Sequence, residues 1–124
     1  MAMNWDLLKQ LYLKNNQASQ LYSLALNLAP IQTLAHNGVD SAAAKHLVRE
    51  SQFFIEWTVP TISLEVEIDF ATELVDLQRL LSRWKLHWEE QWDNESKRLT
   101  IVQELQPWCD LLQNRYECLT RTAS

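Results

Sequence analysis

The spacing of apolar residues predicts an all-α protein, a four-helix up-and-down bundle formed by one domain over residues 1–124. Two long stretches in the C-terminal half carry apolar residues at alternating intervals of three and four, the repeat of a helix packed along one seam. A short polar break joins them, which forces neighbouring antiparallel helices. A single Gly in 124 residues leaves little material for hairpin turns, phosphate-binding loops or a dinucleotide fingerprint, so most nucleotide-binding and all-β architectures lose their usual punctuation.

The first helix is expected from about Asn4 to Leu28, where Leu7, Leu8, Leu11, Tyr12, Ala18, Leu21, Tyr22, Ala25 and Leu28 return at intervals of three and four. Asn15, Asn16 and Gln17 interrupt the pattern, and a kink is expected there. Ala29-Pro30 is expected to end or bend the helix, with Ile31 to Asn37 as a short extra turn stopped by a left-handed cap at Asn37-Gly38. The second helix starts at Asp40 or Ser41, both good N-caps. It carries Ala44, Leu47, Val48, Ser51, Phe54, Ile55 and Thr58 on one side and closes at Pro60.

The third helix is marked by Phe70, Leu74, Leu77, Leu81, Trp84 and Trp88, with Trp92 four residues further on. Ahead of it, Ile62 to Phe70 alternates apolar and polar, the template of a half-buried strand. With no second alternating run to pair with, the stretch is read instead as helix, with an extended, dimer-pairing segment as the alternative. As helix it sets Leu64, Ile68, Ala71 and Val75 on a second apolar stripe, and Glu65, Glu67 and Asp69 suit its N-terminus. Asp93-Asn94-Glu95-Ser96 is the break. The fourth helix carries the seam Val102, Leu105, Cys109, Leu112, Tyr116 and Leu119. Pro107 inside it predicts a kink near Leu105 or two helices in near continuity.

Charge narrows the function classes. The net charge of −5 comes wholly from residues 61–124, with twelve acids and seven bases, which argues against nucleic acid as a partner. No apolar run approaches the ~20 residues of a membrane span, and the first residues lack the basic-then-apolar order of a signal peptide. A cytoplasmic protein that makes no use of a membrane is the expectation. Cys109 and Cys118, nine residues apart on one helix, are separated by about 13 Å at ~1.5 Å per residue and are expected as reduced thiols.

Chemistry would most readily begin with His36, His46 or His87. None stands in a Glu-x-x-His motif, and His46 with Glu50 or His87 with Glu90 supplies only two metal ligands where a stable site wants three or four. No metal or other cofactor is therefore expected. Cys109 lies on the apolar seam, where burial opposes thiolate formation, and Cys118 off that seam is the better reactive thiol, although an inert helical Cys is the ordinary case. Trp84, Trp88 and Trp92 line one helix face and could stack a flat ligand, but one Trp on each other helix favours a shared aromatic core. Arg79, Arg83 and His87 form a parallel stripe that could clamp an acidic group, partly neutralised by Asp76, Glu90 and Asp93. Glu65, Glu67, Asp69, Glu73 and Asp76 put five carboxylates into twelve residues with no base among them, either a helix start or a docking strip for a basic partner.

These features point to a noncatalytic protein-protein interaction module, an adaptor or regulatory subunit. Its interaction residues are expected among Leu64, Ile68, Val75, Arg79, Arg83, Trp84, His87, Trp88 and Trp92. The alternative is a small ligand-binding or metal-binding bundle, catalytic or not, built on the Trp84, Trp88 and Trp92 face and His87. The partner is expected to be a second copy or another protein. In the homodimer Leu64 and Ile68 lie near the two-fold axis, and Arg79, Arg83 or Lys97 of the other subunit offsets the acidic rim.

Overall fold

A computed structural model describes residues 4–123, which are all-helical with no strand. Its six helices are α1 (Trp5–Leu13), α2 (Gln17–Asn37), α3 (Ser41–Thr58), α4 (Ile68–Leu86), α5 (Trp88–Asp93) and α6 (Glu95–Ala123), with a 3-10 turn at Val59–Thr61.

The first predicted helix is two helices. Asn16 has extended backbone, and its side chain accepts from the Ser19 amide at 2.9 Å, starting α2 afresh. Asn4 does the same for α1 through the Leu7 amide at 3.1 Å. Pro30, expected to end or bend this segment, lies inside α2, which continues to Asn37. The reason is placement: Pro30 and Leu26, whose carbonyl loses its amide partner, are both exposed, so water reaches the orphaned oxygen. Meanwhile Leu24, Leu28, Ile31 and Ala35 keep the buried stripe unbroken across the proline. Pro107 is tolerated in the same way, exposed within a single α6.

Residues 62–67 are neither helix nor strand. The amides of Val66 and Glu67 both return to the Ser63 carbonyl, at 3.3 and 2.8 Å, and α4 begins only at Ile68. The chain reverses here between α3 and α4, and the turn consumes the residues that alternate. Leu64 therefore shares no helical stripe with Ile68 and Val75, and Ala71 is buried with the core, so the second stripe does not exist as expected. The third seam is also divided, by non-helical backbone at His87 (φ −119°, ψ 41°) between α4 and α5.

Buried side chains assemble on one interior shared by all the long helices: Leu21, Leu24 and Leu28 of α2, Val48 and Ile55 of α3, Leu74, Leu77 and Leu81 of α4, and Ile101, Leu105 and Leu112 of α6. α2 packs against α3 and α6, and α4 packs against α3. Arg98 reaches the Ala35 carbonyl and Gln32 the Val102 carbonyl, each at 2.9 Å, while the rings of Tyr22 and Tyr116 meet at 5.2 Å. As residue numbers rise on α2 they fall on α6, so the two run antiparallel. α4 and α6 are bridged by long side chains: the Trp108 indole donates to the Glu73 carbonyl at 3.2 Å, and Arg115 pairs with Glu67 while lying 4.8 Å over the Phe70 ring. α1 rests on α3 through aromatic contacts, Trp5 with Phe53 at 4.6 Å and Tyr12 stacked on Phe54 at 4.4 Å. No helix among the described residues is long and apolar enough to cross a membrane.

Candidate functional site

The two ends of the helical body are built differently. At the first end α2 turns into α3 and α5 into α6. Gly38 caps α2 in the left-handed region (φ 67°), its amide bonded to the Leu34 carbonyl at 2.8 Å. A β-carbon there would lie 2.8 Å from the Arg98 guanidinium, so glycine permits the close approach as well as the backbone angle. Arg98 donates to the Ala35 carbonyl at 2.9 Å and to the Trp92 carbonyl at 3.2 Å, closing the C-terminal ends of α2 and α5 together. Nothing in the sequence pattern singles out Arg98. The lone Gly, at a predicted cap, was its nearest signal.

The three tryptophans weighed as a ligand face or a shared aromatic core are buried at this end. Trp84, Trp88 and Trp92 are 2%, 5% and 5% exposed, with the rings of the last two stacked 5.2 Å apart. The Trp88 indole donates to the Ser41 hydroxyl at 2.9 Å, tying α5 to the start of α3. The three rings are buried while His87, at the break between α4 and α5, is exposed, so the Trp face and the His do not share one surface. Lys97 pairs with Glu90, and this bond holds the Glu90 carboxyl below the usual carboxylate range.

Arg79 and Arg83 are exposed beside an open groove of about 490 Å³ between α4 and α6, whose walls include Leu80 and Trp108. Asp76 and Glu104 line the same groove, and Arg79 is paired with Asp76 at 3.5 Å, so the two arginines face balanced charge. Cys109 is half-buried beside Gln32, and burial, followed by the charge of Asp110, pushes its thiol up, the opposite of nucleophile activation. Among the described residues no three His, Cys, Asp or Glu side chains gather as a metal would require.

At the second end, the α1–α2 corner meets the 62–67 turn and the start of α4. Beneath the surface, the Tyr12 hydroxyl lies 2.5 Å from Thr58 Oγ1 and 3.3 Å from the Gln20 carbonyl, while Gln20 Nε2 donates back to the carbonyls of Tyr12 and Asn15 at 3.2 and 3.1 Å. Burial raises the Tyr12 pKa to about 12, against a smaller opposing effect of the Thr58 bond. This polar node fixes α1, α2 and α3 to one another.

Above it the surface is apolar. Leu64, Val66 and Ile68 are 58%, 81% and 52% exposed, and Val75 on α4 is partly exposed as well. Leu13 and Val66 line one open groove of about 600 Å³, with Asn15, Gln20, Ser63 and Glu67 among its polar walls. Leu7 and Leu11, read in sequence on the apolar stripe, are half-exposed, because Trp5 and Tyr12 are the residues that meet α3 and Leu8 packs against the core. Glu65 and Asp69 are exposed between the aliphatic side chains, whereas Glu67 is paired with Arg115. Sequence reasoning picked out Leu64 and Ile68 and missed Val66, the most exposed of the three, whose only signal was the same alternation.

The geometry therefore offers contact chemistry, apolar side chains on a braced turn with carboxylates between them. Comparison with known protein families, characterised proteins and solved structures finds no match. The class these observations define is an all-helical protein with an apolar, acid-flanked end.

Proposed function

We propose that this chain is a noncatalytic protein-protein interaction module, in which α2, α3, α4 and α6 form a four-helix up-and-down bundle that presents the second end to a partner. One observation carries the reading: three large aliphatic side chains within five residues are more than half exposed, on a turn braced by Ser63 and by the Glu67–Arg115 pair. Scattered exposed aliphatics are ordinary on a protein surface, but a cluster rimmed by charge has the composition of an interface centre with a polar border. The acids at 65 and 69 add selectivity, since they disfavour acidic partners and steer basic ones.

A photo-crosslinking side chain at position 66, compared with one at the exposed polar position 103, tests the proposal in cells expressing the protein. Position 66 is expected to give protein adducts of discrete mass and position 103 none. Absence of any protein adduct at 66 overturns the reading.

A further inference from the structure

α4 packs against α3 and is bridged to α6 by long side chains, which leaves its outer face in water. Helical spacing orders that face into two lines. Ile68, Val75 and Leu86 are 52%, 36% and 77% exposed and, at intervals of seven and eleven residues, fall within about 20° of one line. Roughly a quarter-turn round the helix, the exposed residues Asp69, Asp76 and Arg83 recur every seven residues. Asp76, Arg79 and Arg83 line one groove with Glu104 and Trp108 of α6, so the charged line belongs to a single surface. Its sign changes along the helix. Asp76 is paired with Arg79 at 3.5 Å, whereas the side chains of Asp69 and Arg83 make no ion pair or hydrogen bond among the described residues. The helix dipole accounts for an acid in the first turn and a base in the last, and not for the aliphatic line left in water beside them.

We infer that this face binds a second copy of the chain, α4 against α4 and antiparallel, about a two-fold axis at the level of Asp76 and Leu77. A two-fold perpendicular to two adjacent helices sets each flank against the same flank of its mate and reverses its direction. The aliphatic flank then meets itself, with Ile68 against Leu86 of the other copy and both Val75 side chains near the axis. The charged flank meets itself with signs opposed, Asp69 against Arg83 of the other copy, twice over. Asp76 lies nearest the axis and brings its own counter-charge in Arg79. Both matches need the same register: residues 68 and 86 are centred on 77, and 69 and 83 on 76, so one axis serves both to within about 1.5 Å. A second copy supplies this complementarity by symmetry, whereas a different helix would have to reproduce the order of both lines. The surface shares only Ile68 with the turn proposed above, and the inference does not rest on that reading.

The test is charge reversal followed by mixing. Wild-type protein at high micromolar concentration is expected to show twice 14.6 kDa by size-exclusion chromatography with light scattering. Asp69→Arg puts bases at both positions and Arg83→Asp puts acids at both, so each variant alone is expected to run as a monomer at that concentration. Circular dichroism should remain helical in both, because the two side chains are exposed. An equimolar mixture restores an acid opposite a base at both contacts and is expected to recover the dimer mass. A monomeric wild type, single variants that stay dimeric, or a mixture of folded variants that stays monomeric overturns the inference. Should either single variant lose its helical signal, Val75→Asp replaces it: a folded Val75→Asp that stays dimeric overturns the inference, and a folded monomer supports it.

Discussion

The Gly38 end and the Val66 end of the molecule solve the same geometric problem, reversing the chain between helices, with opposite use of apolar side chains. At the Gly38 end the aromatic rings are turned inward and the freed carbonyls of two helices converge on Arg98. At the Val66 end the hydrogen bonds lie below the surface, in the Tyr12–Thr58–Gln20 node, and the aliphatic side chains remain in water. Stability accounts for the first arrangement. It does not account for the second, because an apolar side chain left exposed contributes no burial energy to folding. The contrast separates residues that hold the fold from apolar residues whose exposure the fold does not explain.

Substitutions sharpen this contrast. The largest loss is expected for Trp92→Ala, which removes a buried ring from the stacked pair and should cost about 3–5 kcal/mol, read from urea unfolding followed by circular dichroism. Arg98→Ala strands two carbonyls at helix ends and is expected to cost about 2–3 kcal/mol in the same measurement. Gly38→Ala forces a β-carbon into a positive-φ position against Arg98 and should cost about 1–3 kcal/mol. Because the clash and the bond share one guanidinium, the Gly38→Ala/Arg98→Ala double variant should lose less than the sum of the two.

Tyr12→Phe is expected to cost about 1 kcal/mol and to change the alkaline limb of stability. The folded chain holds the Tyr12 proton up to about pH 12, whereas an unfolded tyrosine releases it near its ordinary value of 10.0. Stability from this group is therefore complete below pH 10 and is lost as pH rises through 12. Urea midpoints across that window should fall more steeply in wild type than in Tyr12→Phe, and equal slopes would refute the assignment. The smallest effect is expected at the other end, where Val66→Ser at a concentration too low for association should leave the thermal midpoint within about 0.5 kcal/mol of wild type. A large loss there would mean that the turn holds the fold after all, and the distinction between the two ends would collapse.

Helical content, the caps at Asn37-Gly38 and Asp40, the break around Asn94 and the core character of Leu74, Leu77, Leu81, Leu105 and Leu112 were all legible in the chain, since local spacing and capping chemistry set them. Periodicity says which residues share a face; it does not say which face meets a neighbour. Leu7 and Leu11 have the same spacing as buried residues, and only the docking of Trp5 and Tyr12 on α3 turned them outward. The alternation of residues 62–70 fits a strand when read alone, and the demand that the chain reverse between α3 and α4 made it a turn. Pro30 and Pro107 carry local signals for helix ends, yet their placement on exposed faces let the helices run through. Arg98 lies sixty residues after Gly38 in sequence and touches it in space, a contact that no local pattern encodes. What the sequence determined by itself was the helical character of the chain and many of its buried positions, because those depend on interactions within a few residues, whereas the number of helices and where two of them divide lay outside it. Only the tertiary structure decided which apolar residues stayed in water, because that depends on how many neighbours each helix finds.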